Sequence, residues 1–295
     1  MALTLHPASD PLAWRERLLE RVALWTRVWR PDPGDARRAA GSQIDGMLGG
    51  SEVWELTDDG RSVGHVWLGV ERGDLVVHDL VAPDAAAAVD VRERVLAEAR
   101  GRGLGGVQAS SAPGDRSRAA FVDDPAFMLV ATNMKLDLSG PAAVAGPVRL
   151  TAMTEGEFAA FMAGQVESYA EERHAAGEPM EVALELSREQ LAELLPEGLA
   201  SPHQHLFTVR EGDTPVGILW LGTERPVVFV YDVVVEPEHR GRGLGGAAMT
   251  AAAGWARDRG APAIGLNVFG PNPARALYDR LGYQVVSDHF RAPLA

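Results

Sequence analysis

The sequence predicts an α/β protein built from one unit repeated in tandem, each copy a mixed sheet flanked by helices. Three observations carry this. First, Ser62–Asp84 and Pro215–Glu238 match in a single register: Val63-Gly64 with Val216-Gly217, Trp67-Leu68-Gly69 with Trp220-Leu221-Gly222, Asp79 with Asp232, and Pro83 with Pro237. Second, the offset of about 153 residues is roughly half the chain, as a duplication requires. Third, the same succession of apolar strands and helices follows both copies.

The elements follow in chain order. A helix over Pro11–Trp29 opens the first half. The matched stretch Ser62–Asp84 reads as two apolar strands joined by a turn, leaving through a Pro-acid exit. Next come a helix over Ala86–Ala99, a strand over Val107–Ser110, a polar loop, a short helix over Arg118–Val122 and a strand over Met128–Asp137. Ser139–Pro147 is small, uncharged and Gly/Pro-containing, which places a linker at 140–147 between domains 1–139 and 148–295. A helix over Glu155–Ala176 opens the second half, and Pro215–Glu238 forms its strand pair. It continues as helix Leu244–Arg259, strand Ala263–Val268, a Gly-Pro-Asn-Pro loop, helix Ala274–Leu281 with Gly282 as its cap, and strand Gln284–His289.

Composition narrows the function. With no cysteine, disulfides, thiolate metal sites and a cysteine nucleophile are all excluded. A net charge of −13 argues against nucleic acid, whose phosphates need clustered Lys and Arg. Neither a signal peptide nor a run of about 18 apolar residues is expected, so the cytoplasm is the default location and no membrane partner is expected. Arg and Ala richness, with Lys135 the only lysine, reads as codon bias.

The heptapeptide Arg-Gly-Arg-Gly-Leu-Gly-Gly occurs at both Arg100–Gly106 and Arg240–Gly246. The two copies lie out of the repeat register. The second leaves a strand and opens a helix, where backbone amides and the helix dipole converge on an anion. The first leaves a helix and opens a strand, where carbonyls point outward and glycine and arginine act as a C-terminal cap. An anion site is therefore expected at the second copy alone. Where the first half would need such a loop it has "PDAAAAVDV".

The stretch "DVVVEPEHRGRGLGGAAM…LNVFGPNPARALYDRLGY" resembles the acetyl-CoA signature of the GNAT N-acetyltransferase superfamily. Arg240, Gly243 and Gly245 fill its loop, and Ala274, Leu277, Tyr278, Leu281, Gly282 and Tyr283 fill its later helix. The resemblance covers Val227–Tyr283 closely and extends over Val148–Ala295. It implies two tandem GNAT-like domains, each a mixed, mostly antiparallel sheet flanked by helices, the first a degenerate copy without a cofactor loop and the second catalytic. It implies acetyl-CoA as acyl donor and direct transfer of the acetyl group to a primary amine of a small molecule or peptide. The strand before the loop should splay from its neighbour. Val233 and Val235 would then line the donor's arm, and Arg240, Gly241, Arg242, Gly243, Leu244 and Gly245 would hold its pyrophosphate. Asn267 and Asn272 are carried over as further cofactor contacts. One departure bears on Asn272: the family commonly has Asn, two residues, then Ala, whereas here Pro273 alone separates Asn272 from Ala274.

Tyr278 stands where the family places its proton donor; the alternative is an aromatic packed on one helix face. Asp232 is a candidate general base inside an apolar strand. Its counterpart Asp79 persists in a half that has about Val122 in place of Tyr278, which argues for a structural role instead. Glu155–Glu197 carries eleven Glu against two Arg, and Glu167 and Glu171 stand one helical turn apart, either as an acidic funnel for a cationic amine or as a solvated face. His203 and His205 lack a nearby carboxylate motif, so no metal site is expected. The chain is expected to act as a monomeric pseudo-dimer or a homodimer. The competing reading is a non-catalytic acyl-CoA-binding or regulatory module.

Overall fold

A computed structural model describes residues 3–141, 146–175, 177–270 and 272–294. Of the expected linker, residues 142–145 lie outside the described residues. Two compact units form, one from the residues up to Val130 together with those from Val286 onward, the other from Ala131–Val285.

In the first unit, β1 (Thr4–Pro7), β2 (Glu52–Asp58), β3 (Arg61–Glu71), β4 (Asp74–Val81) and β5 (Gly106–Ser111) lie side by side, and β12 (Gln284–Pro293) pairs with β5. Every pairing is antiparallel except β4 with β5. The second unit repeats this order in β7 (Val148–Ala152), β8 (Gln204–Glu211), β9 (Thr214–Gly222), β10 (Val228–Val235) and β11 (Ala263–Phe269), closed by β6 (Met128–Asp137) on β11. Only β10 with β11 is parallel there. Each sheet is mixed and mostly antiparallel, as expected.

The units do not coincide with 1–139 and 148–295, because β6 and β12 change places. Backbone pairing decides membership of a sheet, and each half's last strand finds its partner in the other unit: Ala131–Asp137 runs along Ala263–Phe269, and Asp288–Pro293 along Gly106–Ser111.

Strand alternation explains how both faces of each sheet are covered. In β3, Val66 and Leu68 join Val91, Val95, Leu96 and Ala99 of α3 (Ala85–Gly101). The intervening Trp67 joins Leu18, Leu19 and Val22 of α1 (Arg15–Thr26) and Ala40 and Ile44 of α2 (Pro33–Met47). In β9, Leu219 and Leu221 pack with Ala248, Met249, Ala252 and Ala256 of α7 (Leu244–Asp258). Trp220 packs instead with Phe161 of α5 (Glu155–Ala175) and Leu191 of α6 (Met180–Leu194). Two shorter helices, α4 (Arg116–Val122) and α8 (Ala274–Arg280), each follow the strand that pairs in parallel. The helix expected over Pro11–Trp29 begins as a 3-10 turn at Pro11–Trp14 and its α-helical part ends at Thr26. Gly282 caps α8 in the left-handed region (φ 86°), with the Tyr283 amide donating to the Tyr278 carbonyl at 3.0 Å.

Candidate functional site

The site starts from an irregularity in β10. Val230 faces Leu221 and Asp232 faces Trp220, so Tyr231 is an extra residue, a bulge. Val230 and Val233 pack in the core beneath α7. Tyr231 packs with Trp220 on the α5 side, and Asp232 accepts a hydrogen bond from Gln165 of α5 (Nε2 to Oδ2, 2.8 Å). The bulge thus re-aims two consecutive side chains toward α5, a common device beside functional sites. The parallel ladder of β10 with β11 runs only from Val228–Ile264 to Val230–Leu266, although β10 continues to Val235 and β11 to Phe269. Beyond that point the ladder to β11 stops and the strands part, while Val233 and Val235 go on pairing with β9 alone.

At the end of β10 the chain turns through Pro237–His239 and enters the glycine loop. Arg240 Nε donates to the Val235 carbonyl at 2.9 Å, tying the loop to the strand. Gly241 and Gly243 hold φ of 75° and 78°, which L side chains rarely adopt. Among the described residues no side chain caps α7, and the first backbone bond into it runs from the Ala247 amide to the Gly243 carbonyl (3.1 Å). The amides of Leu244, Gly245 and Gly246 precede that bond, at the positive end of the helix. This geometry suits an anion. Arg242 turns outward to Glu211 (2.7 Å).

The equivalent helix of the first unit is closed to an anion. Asp84 caps α3 with its own carboxylate, accepting from the Ala87 amide at 2.9 Å. The first heptapeptide lies at the other end of α3. There Gly103 (φ 67°) and the bond from the Leu104 amide to the Ala99 carbonyl (3.0 Å) form a helix C-cap, while Arg102 binds Glu98 and Glu52.

The inward face of α5 completes the site. At about 100° per residue, Gln165, Tyr169 and Glu172 fall within about 60° of arc, and Glu167 and Glu171 lie on the far side. Glu167 and Glu171 are exposed there and do not join Asp232. Glu172, which sequence reasoning passed over, stands on the same face as Gln165; the residue as a whole is exposed, yet partial desolvation of its carboxyl and the neighbouring Asp232 push that carboxyl above the usual range. Asp232 is itself raised by burial, against the hydrogen bonds from Gln165 and the Val233 amide. Tyr278 is buried beside Tyr283 (ring centroids 5.8 Å). Burial, then Asp232 and Glu172, push its phenol up to about 12. Such a phenol keeps its proton at neutral pH and can donate it. Tyr169 stacks edge-on to Phe269 at the end of β11, and Arg173 covers both rings while bound to Glu178.

The two predicted asparagines differ. Asn267 donates to Asn133 of β6 (2.9 Å), and its own Oδ1 is buried with no partner among the described residues. The Asn272 Oδ1 accepts from the Ala274 amide (2.9 Å), so this side chain starts α8. His205 rests on Trp255 (4.8 Å) and meets Thr223. Among the described residues no group of three or more His, Cys, Asp and Glu is placed to hold a metal ion. Nor is any helix there long and apolar enough to cross a membrane.

In the first unit the corresponding gap is filled. β4 parts from β5 beyond Val77–Ala109. Asp79 is gripped there by Arg21 (2.5 and 3.0 Å), Arg118 (2.8 Å) and His65 (2.9 Å). The aromatic pair Tyr278–Tyr283 has its likeness in Phe121–Phe127 (5.6 Å), which offers no hydroxyl.

A sheet that parts beside a glycine loop at a helix N-terminus leaves an opening suited to an extended anionic ligand. The family model described as "Acetyltransferase (GNAT) family" matches residues 168–283. Over 144 residues the chain is 35% identical to the uncharacterized N-acetyltransferase YycN of Bacillus subtilis strain 168, a match covering 46% of this chain and 92% of that protein. Over 149 residues it is 28% identical to YdgE of the same organism, another uncharacterized N-acetyltransferase (48% and 95%). The chain belongs to the GNAT family of acetyltransferases. A GCN5-related N-acetyltransferase from Sphaerobacter thermophilus shares the fold over 99% of this chain and 95% of its own (TM-score 0.60, 15% identity), so the likeness in fold runs through both units.

Proposed function

We propose that this acetyltransferase uses acetyl-CoA as donor and a primary amine of a small molecule or peptide as acceptor. In this reading 148–295 carries the active site, and 1–139 is a degenerate copy without a cofactor loop. The observation that carries it is the parting of β10 from β11 beside a helix N-terminus with no side-chain cap among the described residues. The amides of Leu244–Gly246 would hold the pyrophosphate, and Asn267, with its unpartnered Oδ1, and the β10 backbone would border the donor's arm. Acetyl-CoA, when bound, supplies an activated acetyl carbon to which an amine nitrogen can add as the C–S bond breaks. The acceptor sheds its ammonium proton to solvent before attack, with Glu172 lending negative charge to its approach. Asp232 Oδ takes up the proton the nitrogen loses on acylation, and the Tyr278 hydroxyl gives its proton to the departing sulfur and regains one from solvent. With no cysteine among the 295 residues, no acyl-cysteine can form on this chain, which fits direct attack.

The test is thiol release from acetyl-CoA across a panel of alkylamines, aminoglycosides and peptide amino termini. Tyr278→Phe is expected to lower kcat by about 100-fold with acetyl-CoA binding retained. Binding of acetyl-CoA without thiol release to any amine would favour a non-catalytic module instead.

A further inference from the structure

The duplicated hairpin offers an internal comparison. Asp79 and Asp232 occupy one position, each opposite a tryptophan (Trp67, Trp220) and each just after a bulge. Around Asp79 stand Arg21 from the opening helix, Arg118 and His65. His65 faces Val81 across the ladder, and in the same register Ile218 faces Val234. The opening helix of the second unit gives Asp232 not an arginine but Gln165. We propose that Gln165 is a positioning residue of the acetyl transfer, holding the Asp232 carboxylate by Oδ2 with a neutral donor so that it can take up the acceptor amine's proton. This rests on the reading of Asp232 given above.

The chemistry supports the choice of donor. An arginine at this place would fix the carboxylate equally well but would hold it ionised, as Arg21 and Arg118 hold Asp79, and a carboxylate so stabilised is a poor base. A glutamine orients without adding charge. The titratable groups coupled to Asp232 are Glu172 on the same helix and Tyr278 on α8, and both are themselves raised. The proton balance is complete: an amine N–H bond breaks, an Asp232 O–H bond forms, and solvent later receives the proton.

Two substitutions separate orientation from charge. Gln165→Ala removes the donor, and Gln165→Arg restores it with the charge of the first unit. In the ligand-free protein, the carboxyl 13C resonance of Asp232, identified by its loss in Asp232→Asn, is expected to titrate higher in Gln165→Ala and lower in Gln165→Arg than in the wild type. Both variants are expected to lower kcat by about 10-fold or more with KM for acetyl-CoA within about twofold, and Gln165→Arg should also move the acid limb of kcat/KM to lower pH. A midpoint unmoved by either substitution would overturn the inference. So would unchanged kcat in both variants when Asp232→Asn is slowed. If Asp232→Asn itself keeps full kcat, the reading of Asp232 as proton acceptor falls, and the inference falls with it.

Discussion

Asp79 and Asp232 share a backbone position and meet opposite electrostatics. Burial pushes Asp79 up, but hydrogen bonds from His65 and Arg21 and the charges of Arg118 and Arg21 outweigh it and hold the carboxyl well below the usual range. Breaking a buried pair leaves uncompensated charge, so Asp79→Asn should cost about 3–5 kcal/mol in a denaturant titration, with no change in acetyl-CoA binding. Because the folded value is depressed, this contribution is present above the unfolded pKa of about 3.9 and is lost as pH falls below it. The wild type should therefore lose stability in acid below about pH 4 faster than Asp79→Asn does, measured as melting temperature against pH. The sequence contained the matching of the two aspartates but not their difference. That difference comes from Arg21 and Arg118, both far from Asp79 along the chain, and from a single helix turn that presents Gln165 instead of an arginine.

At the scale of elements, the two heptapeptides show that a helix's polarity decides what a glycine string does. Gly103 and Gly243 have similar positive φ and open space around them. Valine at either place meets the same backbone cost of roughly 1–2 kcal/mol. Gly243→Val should abolish acetyl-CoA binding measured by calorimetry, and Gly103→Val should lower the melting temperature alone. Loss of binding in the second variant would contradict the assignment of the loops. This distinction was legible in the sequence because it depends only on the order of strand and helix. The inward face of α5 was not. Of the eleven glutamates from Glu155 to Glu197, ten mask the one whose carboxyl feels Asp232. The spacing of Gln165, Tyr169 and Glu172 becomes a signal only once the position of β10 is known. Acceptor pockets are built from such faces, which carry no shared code.

At the scale of the molecule, the two units carry one open gap and one filled gap, so calorimetry should give a single acetyl-CoA per chain. The duplication and its register were legible, since they rest on matched local patterns. The exchange of β6 and β12 was not, because strand pairing between distant segments leaves no local mark. A protease site placed within 140–147 tests it. After cutting, the fragments should remain together through gel filtration and part only in denaturant, since each unit holds a strand from both. Fragments that separate on cutting would refute the exchange.

The exchange also sets a timetable for synthesis. A growing chain usually folds its first domain as soon as that domain has emerged. Here the first unit leaves the ribosome with β5 paired to β4 on one edge only, and the other edge waits for β12 while the whole of the other unit is made. At about 5–20 residues per second that delay is roughly 10–30 s. Throughout it an exposed strand edge seeks a partner, and β6, next in line, is the nearest one. Any pairing of that edge with β6 would have to be undone before β12 could take its place beside β5.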